Sequence, residues 1–146
     1  MTSKRIRLIA LAVLAASLLA GFARAQGSVV SSGRFTLPVE THWGLAVLPP
    51  GEYTYKLASS GFPAIVTVRG QGRAVMIMTN AGISDHRVSD RSVLNIIRIG
   101  REATVRSLDL GHLGRTFNYR VPKHVAELMA QKPELLQHVS VEAVQK

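Results

Sequence analysis

From residue 34 onward, apolar and polar residues alternate one for one through much of the chain. In Arg34-Phe35-Thr36-Leu37-Pro38-Val39-Glu40 the residues Phe35, Leu37 and Val39 fall on one face of an extended segment. Pro38 has no N–H to give, which makes this an edge strand or turns that position outward. Trp43, Leu45 and Val47 repeat the alternation, with Gly44 marking a bulge or a close approach. After Leu48-Pro49-Pro50, the pair Pro50-Gly51 suits the two central positions of a type II turn. Tyr53, Tyr55 and Leu57 then face one way while Glu52, Thr54 and Lys56 face the other.

Ile65 to Arg69 and Ala74 to Met78 flank Gly70-Gln71-Gly72 and read as a hairpin. The second run is apolar on both faces and predicts a central strand covered from both sides. Val93 to Ile99 and Ala103 to Leu108 flank Gly100-Arg101-Glu102 in the same way, and Phe117, Tyr119 and Val121 give a last alternating strand. Phe35, Leu37, Trp43, Tyr53, Tyr55, Leu57, Phe117 and Tyr119 are the expected core.

Past Pro122 the period changes. Val125, Leu128 and Met129 lie at helical spacing, which predicts a short helix over 123–131 ending near Pro133. Leu135, Leu136, Val139, Val141 and Val144 follow without a firm period, so residues 134–146 read as a tail. The pattern predicts a mainly β fold: a single antiparallel β-sandwich or small barrel of about eight strands with a short C-terminal helix.

The N-terminus departs from this pattern. Lys4, Arg5 and Arg7 precede an apolar run from Leu8 to Leu19 broken only by Ser17, and Ala23-Arg24-Ala25 precedes Gln26. These are the charged region, apolar core and small-residue cleavage site of a secretory signal peptide, residues 1–25. An uncleaved anchor would need a longer apolar run, so no transmembrane segment is expected after cleavage. A flexible segment, 26–32, a β domain, 33–122, and the helix and tail, 123–146, complete the expected organisation. The expected destination is periplasmic or extracellular.

The chain has no cysteine, which excludes a disulfide framework and thiol chemistry. Its formal charge is +9; Lys4, Arg5, Arg7 and Arg24 leave with the leader, and the remainder carries +5. That surplus favours anionic partners at the level of association rather than of fold.

Asp85, His86 and Asp90, among Ser84, Ser89 and Ser92, contain the residue types of a hydrolytic triad. Sequence proximity is not triad geometry, however, and no Gly-x-Ser-x-Gly elbow occurs. A polar connection with Ser and Asp stabilising turns is the simpler expectation. His124 and Glu127, three apart on the expected helix, supply two ligands without a recognisable third, so no metal site and no cofactor are expected. His42 is read as a surface position or a ring partner of Trp43; His112 and His138 carry no motif. Arg69, Arg73, Arg87, Arg91, Arg98, Arg101, Arg106, Arg115 and Arg120 recur along the strands. Arg98, Arg101 and Arg106 share one expected hairpin and form the candidate ligand-binding face for an anionic glycan or lipid. Aromatic residues are few and sit at core-type positions, so nucleic acid is not an expected partner.

The order Phe35-Thr36-Leu37-Pro38-Val39-Glu40, Trp43-Gly44, Ala46-Val47-Leu48-Pro49-Pro50-Gly51-Glu52-Tyr53-Thr54, Arg91-Ser92, Thr104-Val105-Arg106-Ser107-Leu108, Leu113-Gly114 and Phe117-Asn118-Tyr119-Arg120-Val121-Pro122-Lys123 resembles a family of small secreted proteins typical of acidobacteria. The resemblance covers roughly residues 33–123 and implies export and a one-domain plan, with no catalytic residues to carry over. Locally, Leu48-Pro49-Pro50-Gly51-Glu52-Tyr53 is similar to the corresponding element of collagen-adhesin B-type and carboxypeptidase-regulatory-like β-sandwiches, stalk and accessory modules. These readings converge on an exported non-enzymatic structural or binding module. Its expected partner is an anionic envelope component or another envelope protein. The alternatives are a hydrolase built on Asp85, His86 and Asp90, or a binder using the arginine face.

Overall fold

A computed structural model describes residues 29–144. The expected signal peptide, 1–25, lies outside the described residues. Eleven strands form one strongly coiled, nearly closed, barrel-like sheet. They are β1 (Ser31–Leu37), β2 (Glu40–Trp43), β3 (Ala46–Leu48), β4 (Gly51–Leu57), β5 (Ile65–Gly70), β6 (Arg73–Met78), β7 (Ile83–Asp85), β8 (Ser92–Ile99), β9 (Glu102–Leu110), β10 (Arg115–Asn118) and β11 (Leu136–Val144). One helix, α1 (Lys123–Gln131), occupies the predicted span. Among the described residues no helix is long and apolar enough to cross a membrane.

The strand order is β3-β2-β9-β8-β11-β1-β4-β5-β6, with β10 on β9 and β7 on β10. The alternation of the sequence is realised directly: β4 buries Tyr53, Tyr55 and Leu57 and exposes Glu52, Thr54 and Lys56. All eight expected core residues are buried, and Trp43 is completely enclosed. Phe35 stacks on Tyr53 at 5.9 Å between ring centroids, and Trp43 meets Tyr119 edge-on at 5.4 Å, so aromatic geometry adds to area burial. The Tyr53 hydroxyl donates to the Pro49 carbonyl at 2.8 Å, fixing the entry to β4.

Several expectations are corrected. Leu45 does not continue the inward alternation of Trp43. Gly44, at φ +62, and Leu45 form the two-residue turn that pairs Trp43 with Ala46, so Leu45 projects from a hairpin tip into solvent. Gly51 has positive φ as expected, but at +147° it opens β4 and is not the second central residue of a type II turn. β6 is not a doubly covered central strand: it ends the sheet path, burying Ile77 while Met76 and Met78 stand 78% and 55% exposed. The sheet is not purely antiparallel either, because β2 runs parallel to β9.

Both boundaries of the β domain move. β1 begins at Ser31, and the Val30 N–H already donates to the Leu57 carbonyl, so residues 30–32 are tied into the sheet. The expected tail contributes β11, an interior strand. Its Leu136–Val141 half pairs with β8 and its Glu142–Val144 half with β1. Val139, Val141 and Ala143 alternate toward the core, but Leu136 and the exposed Val144 stand off that alternation, so the apolar residues show no single period. Only Val141 is fully buried there. The helix stays outside the barrel, where the Met129 sulfur accepts a hydrogen bond from Arg106, and the turn Pro133–Leu135 packs on β8.

Candidate functional site

The Asp85, His86 and Asp90 cluster lies on β7 and the loop after it. Asp85 is exposed and pairs with Arg115 across the β7–β10 ladder at 3.0 Å. His86 turns away from both aspartates. Its Nδ1 meets the Arg87 carbonyl at 2.8 Å and its Nε2 meets Asp109 Oδ1 at 2.7 Å. Both partners are acceptors, so the protonated ring satisfies both by donating from each nitrogen. The Arg87 carbonyl bond and the Asp109 carboxylate hold His86 above the usual histidine range. A ring donating from both nitrogens has no lone pair to take a nucleophile's proton. Asp90 makes no hydrogen bond or ion pair among the described residues. The neighbouring serines serve the backbone: Ser89 donates to the Arg91 carbonyl and Ser92 accepts from the Gly111 N–H. The residues are adjacent without being a triad; they fasten the β7–β10 corner.

The arginine face is not assembled. Arg98 pairs with Ala103 and shares the inward face of Ala103 and Val105 near the barrel end. Arg106 lies one step past Val105 and points outward to Met129. Successive residues of a strand project to opposite sides, so the two guanidiniums lie on opposite faces with Arg101 at the turn. Arg98 donates instead to the Gly100 carbonyl at 3.2 Å. His124 and Glu127 share the exposed helix and acquire no third ligand among the described residues. His138 bonds to the Asn95 side chain, whose amide donates in turn to Ser107.

A buried polar chain unmarked in the sequence lies at one end of the barrel. Ser31 Oγ is 3.0 Å from the Tyr55 hydroxyl and 2.9 Å from His112 Nε2. His112 Nδ1 is buried without a partner, and burial holds the ring below the usual histidine range. Ser31 braces β1, β4 and the turn after β9, and with His112 it lines a hollow of about 580 Å³ beside Val30, Ser32 and Lys56.

A trough of about 790 Å³ lies over β1, β4, β5 and β11, lined by Arg34, Thr36, Glu52, Arg69, Ser140 and Glu142 among others. It exists because β1 pairs with β4 along its whole length but with β11 only over Ser32–Arg34. Beyond Arg34 the two strands fork. The edge of residues 35–37 faces the edge of residues 136–141 with no ladder between them. At the apex Arg34 Nε lies 2.6 Å from Glu142 Oε2, closing the fork with an exposed ion pair. Sequence reasoning misses the trough because its two walls are more than a hundred residues apart and one wall is the aperiodic tail.

On the opposite part of the sheet, Glu40, His42 and Glu102 bring three potential ligand atoms within 4.8 Å of one another. The Glu40-x-His42 alternation was a visible signal; Glu102 joins it only through the parallel pairing. The chain matches no family model, no curated protein and no solved structure.

Proposed function

We propose that this chain is an exported, non-enzymatic module of the cell envelope, periplasmic or extracellular, that binds an extended segment of a partner protein in the trough between β1 and β11. The observation supporting this reading most is the pair of facing strand edges at residues 35–37 and 136–141. Backbone N–H and C=O groups outside a ladder are a template for an added strand, with the flanking side chains setting specificity. The walls carry Arg34 and Arg69 against Glu52 and Glu142, a mixed pattern complementary to a segment bearing both charges. A polyanion would meet the two glutamates along with the arginines. The leader at residues 1–25 supports export, as does the likeness to small secreted proteins.

The absence of cysteine allows a selective test. Thr36→Cys and Ser140→Cys introduce two thiols across the trough, and a short bis-maleimide then bridges it. Protein made from the full-length gene and recovered after export is measured for retention on isolated envelopes, bridged and unbridged. The expected result is retention by the unbridged protein and loss on bridging, with the Trp43 fluorescence melt unchanged. Retention indifferent to the bridge, or no retention at all, overturns the reading. Intact mass of the exported form is expected to place its N-terminus at Gln26; the full chain in the membrane fraction would indicate an anchor instead.

A further inference from the structure

We propose that Glu40, His42 and Glu102 form a surface site for a divalent transition-metal ion of the zinc class. Glu40 and His42 are two residues apart on β2 and therefore project to the same side. β2 and β9 make the one parallel pairing among the described residues, and its register sets Glu40 beside Glu102 and His42 beside Thr104. Like charges on adjacent strands repel, and neither Glu40 nor Glu102 has the arginine partner that Glu142 finds in Arg34 and Asp85 in Arg115. Among the described residues no Lys or Arg nitrogen lies within 4.0 Å of Glu40 or Glu102, although the chain has 18 Lys and Arg against 9 Asp and Glu. The His42 ring lies beside them, its Nε2 3.9 Å from Glu102 Oε2. A dication would offset both carboxylates where no basic side chain does.

The donors also fit. Zinc takes imidazole nitrogen at about 2.0–2.1 Å and carboxylate oxygen at about 2.0–2.2 Å. Tetrahedral donors are then roughly 3.5 Å apart, so side chains whose ligand atoms span 4.8 Å need to close by about 1 Å, within reach of the solvent-exposed glutamate arms. An imidazole among the donors favours zinc-like ions over calcium and magnesium, which prefer oxygen alone. Three protein ligands leave the fourth position facing solvent.

The test uses untagged protein from the full-length gene, stripped with chelator and titrated with zinc chloride by calorimetry. One zinc ion per chain is expected, with His42→Ala and Glu102→Gln each weakening binding by at least about tenfold, roughly 1.4 kcal/mol. His124→Ala and His138→Ala are expected to leave the isotherm unchanged. Zinc is expected to perturb the His42 ring resonances ahead of those of other histidines. Glu102 is 69% exposed, so its conservative replacement keeps the test open should His42→Ala fail to fold. Absence of zinc binding, an isotherm untouched by either substitution, or calcium binding as tightly as zinc overturns the proposal.

Discussion

Gly51→Ala tests whether backbone conformation at the entry to β4 is demanded by the fold. Gly51 sits opposite Leu37 at φ +147, a region that side-chain-bearing residues rarely enter. Holding alanine there costs on the order of 1–3 kcal/mol. A Cβ would also overlap the Gln71 amide nitrogen, but that is the far end of a flexible side chain and can swing away. Against this, alanine restricts the unfolded chain and recovers about 0.4–1 kcal/mol. The net expectation is destabilisation by about 1–2 kcal/mol, which for a domain of this size lowers Tm by roughly 4–8 °C. Trp43 is the only tryptophan and is completely buried, so its fluorescence reports the melt directly. The same substitution in a Gln71→Ala background separates the two causes: strain persists while overlap disappears. Melts within a degree of their parents in both backgrounds would refute the reasoning.

Two histidines predict opposite limbs of a stability profile. His86 is held above its ordinary range, so its stabilisation is present below about pH 6.5 and is lost as pH rises through the folded value; His112, held below that range, contributes stability that is lost as pH falls from about 6.5 through its folded value. Denaturant midpoints across pH should therefore peak near the ordinary histidine range, with His86→Ala flattening the alkaline limb and His112→Asn the acidic one; limbs that survive both changes would count against the assignments. Val141, buried where β11 leaves β8, should cost about 1.5–2.5 kcal/mol on truncation to alanine. Val141→Asp should give no cooperative melt, and a stable protein carrying that aspartate would show that β11 is dispensable.

The parts of this fold legible in the sequence are those governed by one strand facing one core. β4 and β1 read correctly because Tyr53, Tyr55 and Leu57, and Phe35 and Leu37, each alternate against a single covered face. The helix was legible because Pro122 and the spacing of Val125, Leu128 and Met129 are local signals. β6 was misread because apolar residues on both faces suggest burial, whereas Met76 and Met78 simply occupy an exposed outer face at the end of the sheet. β11 was illegible because Leu136 and Val144 break the alternation of Val139, Val141 and Ala143. The contacts of the candidate residues were hidden for a related reason: Asp85 and Asp90 are neighbours of His86 in sequence, but Asp109, on another strand, is its partner. The Glu40, His42 and Glu102 group depends on a parallel pairing that no local pattern announces.

The hand-over of β11 from β8 to β1 also bears on when the chain can fold. Arg34 finds Glu142 at a separation of 108 residues, and the second edge of β1 has no neighbour until that strand arrives. A topology that defers so central a pairing has high contact order, and such chains fold in milliseconds to seconds rather than microseconds. Hairpins such as β5–β6 and β8–β9 can form while the chain emerges, but the two parts of the sheet are joined only when β11 pairs with both β8 and β1. That delay acts as a timer, keeping the polypeptide pliable until nearly all of it has been made.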